Sequence, residues 1–416
     1  MKRALIVAAT GGFLNGFLIP DMKLLQEMGY EVHCAANGNS VSTFVPEERF
    51  ASIGVTFHQI DFSSTSPVSK ESLTAYKQYD RHEDLEDVVI KMGSQKLIAS
   101  ADEISNKWHR GFVRWYRLYR VFKDNDIKVL HLNGGPASDM TTVFIAKLAG
   151  VKHVTFHSHN AGNAVYRNKI SVAMSKIFKL FMPIFVDEFW ACSSLAAQFS
   201  FPKSIVKNQK YKFIPNGIAL EKFSYNVSLR KEMRKKLGVE DKFVIGHAGR
   251  FNIQKNHEYL IEMFSALHSK CPDTVLLLFG DGELYKKIQD KVKKMNLEDS
   301  VRFMGTTDEM PKMYQAIDVF VMPSFCEGLP VAGVEAQASG LPVILADTIT
   351  KEVGVTNCVK YLPLSDDKAE WVREILNFRG FKRYSRCEEL KRAGFDEKDV
   401  ARYFQNYYLK VLENLK

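Results

Sequence analysis

The sequence predicts an α/β protein made of two doubly wound, parallel-sheet domains that face each other across a cleft. Short apolar runs of strand length alternate with helix-length segments along nearly the whole chain, the pattern of parallel sheets covered by helices on both faces. At 416 residues the chain exceeds what one hydrophobic core usually serves. The alternation also restarts after Pro215-Asn216-Gly217, a turn signal suited to an interdomain hinge.

In the first half, residues 4–9 read as a buried strand, Gly11-Gly12 as a turn, and Phe13 onward as a helix through Asp21, Lys23 and Glu27. That succession favours the start of a sheet over a signal peptide, although Lys2 and Arg3 precede an apolar stretch. Further strands are expected at 31–36, 129–132, 153–157 and 188–191, while polar, charge-rich 63–105 breaks the rhythm as an irregular or helical elaboration. In the second half strands are expected at 243–247, 274–279, 301–303, 319–322 and 342–345. The tail repeats Val400, Tyr403, Phe404, Tyr407, Tyr408, Val411 and Leu412 at helical offsets, one apolar stripe. The expected organisation is therefore 1–210, 211–395, and a C-terminal helix at 396–416 that packs back across the domain junction.

Composition excludes several classes. The six cysteines are scattered without a CxxC pair, which indicates neither a disulfide framework nor a zinc site and fits a reducing cytoplasm. No run of about 18 uncharged apolar residues exists to span a bilayer. The formal charge of +9 sits mostly in the first 212 residues, with 26 basic against 19 acidic groups, so an anionic partner is expected there. Residues 107–124 and 167–187 interleave Lys and Arg with aromatic and aliphatic residues, a pattern that serves either packing against a sheet or peripheral contact with an anionic membrane. No groove-reading or single-strand motif is visible, so nucleic acid is not an expected partner.

The most informative segment is 323–340. A strand runs into a loop holding Glu327 and Gly328, then Pro330 suits the first turn of a helix, whose free N–H groups at Val331 and Ala332 would offer an anion site. Glu335 lies about a turn and a half further on, so two carboxylates could accept hydrogen bonds from hydroxyls at the two ends of one extended ligand.

This segment resembles the Glu-x7-Glu element of the retaining glycosyltransferases of family 4, of the GT-B architecture, many of which build bacterial exopolysaccharide, capsule or lipopolysaccharide. The likeness extends to 247–257 (His-Ala-Gly-Arg-Phe-Asn-Ile-Gln-Lys-Asn-His), to Gly280-Asp281-Gly282 and to Val301-Arg302-Phe303-Met304-Gly305. It implies that Arg250 and Lys255 bind the donor diphosphate, Glu327 the donor sugar and Glu335 the ribose, with Met304, Gly328, Leu329, Pro330 and Val331 lining the donor. Fixed cations and helix N–H groups would stabilise the leaving diphosphate most in the transition state, and so replace a metal. Gly12, in Thr10-Gly11-Gly12, resembles the glycine-rich loop that faces diphosphate and acceptor. In 153–160 (His-Val-Thr-Phe-His-Ser-His-Asn) the family often has a histidine near the reacting sugar; His157 is the choice, with His159 the alternative register.

The expected function is transfer of a hexose or N-acetylhexosamine from a UDP-sugar to a polysaccharide or lipid-linked acceptor, in the cytoplasm or at the inner face of the plasma membrane. No cofactor is expected beyond the donor substrate. A sugar-nucleotide epimerase on the same plan and a non-catalytic sugar-nucleotide binder are the rivals. The Gly11-Gly12-x3-Gly16 spacing and the absence of an acidic residue after the second strand disfavour a dehydrogenase. Asp124-Asn125-Asp126, formally a manganese-binding Asp-x-Asp, precedes a strand at the amino edge of its sheet and reads as a turn.

Overall fold

The computed structural model describes residues 2–8, 22–23, 26–27, 29–36, 51–59, 107–134, 139–159, 161–162 and 169–415. The first sheet comprises β1 (Lys2–Ala8), β2 (Tyr30–Ala36), β3 (Thr56–Gln59), β4 (Ile127–Gly134), β5 (His153–Ser158), β6 (Glu188–Ala191) and β7 (Lys212–Phe213). They lie in the order β3-β2-β1-β4-β5-β6-β7, all parallel. The second comprises β8 (Phe243–Ala248), β9 (Thr274–Phe279), β10 (Val301–Gly305), β11 (Val319–Met322), β12 (Val343–Ala346) and β13 (Val359–Leu362), parallel in the order β10-β9-β8-β11-β12-β13. β9, β11 and β12 are buried along their whole length, because helices cover both faces of a parallel sheet, and apart from Thr274 at the start of β9 their residues are all apolar. The architecture is the two-domain α/β fold expected.

Three helices form one layer on the first sheet: α1 (Lys107–Asp124), α2 (Asp139–Ala149) and α3 (Lys169–Phe185), with α2 packed between the other two. The short α4 (Ser194–Ser200) follows β6. Around the second sheet lie α5 (His257–Lys270), α6 (Met310–Ala316) and α7 (Val331–Ala338) among others. Among the described residues no helix is long and apolar enough to cross a membrane.

The C-terminal helix α8 (Glu397–Asn414) leaves the second half and lies against the first sheet. Phe404, Tyr408 and Val411 are buried with Tyr30, Val32, Cys34, Val129 and Trp190. Polar pins fix the register: Tyr30 Oη donates to Tyr408 O at 3.1 Å, the Tyr408 hydroxyl meets His131 Nδ1 at 2.5 Å, and the Tyr407 hydroxyl meets His153 Nε2 at 2.7 Å. The two crossings between the halves are tied together, since Ile218 N–H donates to Phe395 O and Glu397 N–H to Ile218 O. Gly217 is obligatory here: a Cβ would lie 2.8 Å from Glu397 Cα.

The strands β3, β7 and β13 were not foreseen. β12 begins one residue later than expected, and Pro330 sits at the N-cap of α7 rather than within its first turn. Position 9, the Thr10–Gly12 loop, the helix expected from Phe13 except for four of its positions, and the 63–105 elaboration lie outside the described residues.

Candidate active site

Both sheets reverse strand order, between β1 and β4 and between β8 and β11, and ligands of such sheets bind at the carboxyl ends beside the reversal. In the second sheet that point is flanked by the loop after β8, which carries Arg250 and Lys255, and the loop after β11, which carries Glu327. A 3₁₀ turn at Ile253–Lys255 is capped by Asn252, whose Oδ1 accepts from Lys255 N–H. Gln254 clips the two loops together. Its carbonyl accepts from Phe325 N–H at 2.9 Å, and its side-chain NH₂ donates to Cys326 O at 2.8 Å and to Glu327 Oε2 at 3.3 Å.

The clip brings Lys255 Nζ to 2.7 Å from Glu327 Oε1, with the side chains only 16% and 9% exposed. A carboxylate so buried needs its cation, so the pair holds itself in place. Lys255, with three donors, has capacity left beyond this carboxylate. Arg250 stays exposed, with Glu283 3.6 Å away, and is available to an incoming ligand. Gly280 stands at φ +129° with a virtual Cβ 2.2 Å from Gly249 O, so only glycine lets the β9 loop underlie the Arg250 loop.

Helix α7 starts at Val331, and Pro330 at its N-cap has no side chain to satisfy the first-turn N–H groups. Gly328, Leu329 and Pro330 are buried beneath this end, Val331 is half-buried, and Met304 is half-buried near the end of β10. On the next turn the Tyr314 hydroxyl from α6 donates to Glu335 Oε2 at 2.9 Å. Burial pushes the Glu335 carboxyl up to about 7, against the lowering effect of that hydrogen bond.

On the first sheet the two histidines have different surroundings. His157 points into the aromatic layer under α8, its ring 5.6 Å from that of Trp190 and 6.2 Å from that of Phe404, and it is 3% exposed. It is buried in the core, with its ring 4.0 Å from that of His159, the alternative register. His159 lies past the end of β5, 2.9 Å from the Oδ1 atoms of both Asn216 and Asn133. Burial pushes its ring down to about 4, so it is neutral and can donate from one nitrogen only. Asn216 donates its own NH₂ to Leu329 O at 3.4 Å, which leaves its oxygen for His159 Nδ1–H. Nε2 then accepts from the Asn133 carboxamide, which must present its NH₂.

The same contact ties the halves together at the donor loop, since Leu329 belongs to the second sheet's loop and Asn216 to the crossing. Two further contacts span the cleft. Ser194 N–H donates to Glu352 Oε1 at 2.8 Å, and Cys326 Sγ meets Gly162 O at 3.0 Å. Neither Asn216 nor Glu352 carried a recognisable sequence signal: Asn216 read as a turn residue, and nothing singled out Glu352. Gly12 lies outside the described residues. Asp124-Asn125-Asp126 is the turn between α1 and β4, with Asp126 at φ +47° and its carboxylate 2.6 Å from Lys128 Nζ.

Residues 230–360 match the family model "Glycosyl transferases group 1". The chain is 34% identical over 279 residues, 65% of its own length and 73% of the relative, to the putative glycosyltransferase EpsF of Bacillus subtilis. It belongs to the group 1 glycosyltransferases. Another relative, 29% identical over 55% of this glycosyltransferase and 60% of the relative, is the Escherichia coli UDP-Gal:α-D-GlcNAc-diphosphoundecaprenol α-1,3-galactosyltransferase. The fold of this chain matches HepE of Anabaena, solved with UDP-glucose, at a TM-score of 0.69 and 14% identity over 99% of this chain and 100% of that one. Sucrose-phosphate synthase of Thermosynechococcus elongatus matches at 0.67 and 15% identity over the full length of both. The two Rossmann-like domains of this glycosyltransferase are thus those of the GT-B fold.

Proposed function

We propose that this group 1 glycosyltransferase is a retaining, metal-independent enzyme of family 4. It moves a hexose or N-acetylhexosamine from UDP to a saccharide or lipid-linked acceptor in cell-envelope polysaccharide synthesis, on the cytoplasmic side. The observation that carries the reading is the pairing of Lys255 with Glu327 beside the uncapped start of α7, with Glu335 one turn beyond. That row offers a cation and N–H groups to a diphosphate, and a carboxylate to the hydroxyls on either side of it. The E. coli relative, named for a UDP-sugar donor and a diphosphoundecaprenol-linked acceptor, supports the donor and acceptor classes.

In this reading Arg250, Lys255 and the N–H groups of Val331 and Ala332 hold the diphosphate, and they stabilise the negative charge that grows on the leaving oxygen. Glu327 holds the donor sugar, Glu335 the ribose, and Gly12, Met304, Leu329 and Pro330 wall the donor. The bond from the anomeric carbon to the phosphate oxygen breaks as a bond to the acceptor oxygen forms on the same face. The acceptor's proton passes to the departing phosphate. His159, neutral and anchored by two asparagines, orients the reacting sugar from the opposite domain.

Screening UDP-, GDP- and ADP-sugars for slow donor hydrolysis in excess EDTA tests the donor and the metal together, with product anomers read by NMR. Release of UDP with retained configuration is expected. Activity restored only by Mn²⁺, an inverted product, preference for GDP- or ADP-sugars, or conversion of the UDP-sugar to its epimer would each overturn the part it addresses.

A further inference from the structure

The described residues include twelve large hydrophobic side chains exposed to solvent, and seven of them lie on the layer formed by α1, α2 and α3. On α3 the exposed residues are Ile177, Leu180, Phe181 and Ile184, spaced three and four apart along one stripe. The other face of α3 is also apolar: Met182 is fully buried, and Phe178 and Phe185 pack against Phe144 of α2. Two adjoining apolar stripes would be expected to be covered by core or lipid, yet Leu180 and Ile184 are 73% and 70% exposed. Leu148, 77% exposed, adds to the patch from α2, and Trp115 and Tyr116 add an aromatic element from α1. The remaining exposed hydrophobics, such as Phe325 and Tyr384, belong to other elements, as scattered ones do on any protein.

Charge selects the occupant. α3 carries Lys169, Lys176 and Lys179 and no acid, and α1 carries six Lys and Arg against the single Asp124. Beside this layer Asp124 is engaged with Arg120 and Asp187 with Lys147, each at 2.8 Å. Large aliphatics surrounded by long cations, with tryptophan and tyrosine among them, fit a surface whose anionic headgroups overlie an apolar phase. We infer that the α1–α3 layer docks this enzyme on an anionic lipid bilayer, with the Ile177-Leu180-Phe181-Ile184 stripe inserted and the surrounding lysines and arginines on the headgroups. It is an interfacial contact. The inference does not rest on the assignment of donor or mechanism.

The test is flotation of the full chain with vesicles of phosphatidylcholine alone and of phosphatidylcholine mixed with phosphatidylglycerol. It compares wild type, Leu180→Glu/Ile184→Glu and Lys176→Glu/Lys179→Glu, with UDP affinity and thermal unfolding measured for each. Wild type should float with the anionic vesicles, and less so at high salt. Both double variants should lose at least about tenfold in apparent affinity, the scale of withdrawing one large aliphatic side chain or two surface cations from such an interface. UDP affinity and melting temperature should stay at the wild-type values. Binding unaffected by the substitutions, or no flotation with either vesicle, overturns the inference. So does a Leu180→Glu/Ile184→Glu variant that melts well below wild type, which would mean that the chain itself covers the stripe. A dimer of the wild type that the same variant abolishes, without flotation, would instead make the face a contact between two copies.

Discussion

The carboxyl edges of the two sheets face one cleft with opposite electrostatic strategies. The second sheet presents full charges, Arg250 and the Lys255–Glu327 pair, near the uncapped start of α7. Among the described residues, the first presents neutral groups: His159 held between Asn133 and Asn216, backed by His157 and His131, all pushed down by burial. Fixed charge suits a diphosphate, whose own charge grows during reaction. Neutral donors and acceptors suit a hydroxyl-bearing sugar, for which a buried ion would be desolvated without compensation. In the proposed reaction this division gives transition-state charge to one half and orientation to the other.

The largest effects should come from the charged edge. Arg250→Ala and Lys255→Ala should each lower kcat/KM with a UDP-sugar by about 10²–10³. They should differ in stability. Lys255→Ala strands the nearly buried Glu327 carboxylate and should cost about 1–3 kcal/mol in thermal unfolding, whereas exposed Arg250→Ala should cost almost nothing. Adding Glu327→Gln to Lys255→Ala should recover stability but not activity. Equal melting temperatures for the two single variants would show that the pair does not hold the loop.

At the neutral edge, His159→Ala should reduce kcat by about ten- to a hundredfold, from the loss of one or two buried hydrogen bonds, while UDP affinity stays near wild type. His157→Ala should act mainly on folding, by about 1–3 kcal/mol, through the cavity it opens beneath Trp190 and Phe404. The reverse pattern would return the site role to His157.

Glu335 lies on the charged side, yet its carboxyl is raised to about 7, so in the empty site it is protonated below neutrality. A ribose that donates hydroxyls favours the carboxylate, so binding must expel the proton. UDP-sugar affinity should therefore be constant above about pH 7 and weaken by up to roughly tenfold per pH unit below it. For folding the sign is opposite: a carboxyl raised in the native state contributes most stability below the unfolded range of about 4.3 and loses it as pH rises towards 7. Calorimetric titration with a UDP-sugar between pH 5.5 and 8.5 tests the binding effect. A flat profile in the wild type, or one unchanged in Glu335→Gln, would remove Glu335 from the ribose.

The smallest effect should be at the Glu352–Ser194 clasp between the halves. Burial raises the Glu352 carboxyl, but hydrogen bonds from Ser194 and Thr350 outweigh it and leave it below the ordinary glutamate range. The clasp should persist throughout neutral pH and fail only as pH falls beneath that range. Glu352→Gln should cost about 1 kcal/mol of interdomain contact, visible as a few-fold change in kcat/KM and a larger radius of gyration in solution scattering. No change in either would make the contact incidental.

Much of this was readable without coordinates. Long apolar strands such as β9 and β11 announce themselves because both faces are buried, and the order of loops after β8, β9 and β11 carried the family resemblance. The missed strands are explicable: Thr56-Phe-His-Gln59 is polar, Lys212-Phe213 is two residues long, and Val359-Lys-Tyr-Leu362 is an edge strand with Lys360 in solvent. Alternation puts His157 and His159 on the same side of β5, so periodicity could not separate them; the docking of α8 does, and its contact partners lie more than two hundred residues away. Tyr314 and Asn216 went unremarked because an aromatic in a helix and an Asn before Gly have ordinary explanations.

The helix α8 has a consequence for how the molecule is made. The sheet face bearing Tyr30, His131 and Trp190 is finished only by residues 403–411, which a ribosome adds after the whole second sheet. The N-terminal half, emerging first, must wait with its aromatic floor uncovered. Removing the last twenty residues should therefore cripple the domain farthest from them in sequence, leaving it sticky and in need of a chaperone, while the later-made half folds unaided.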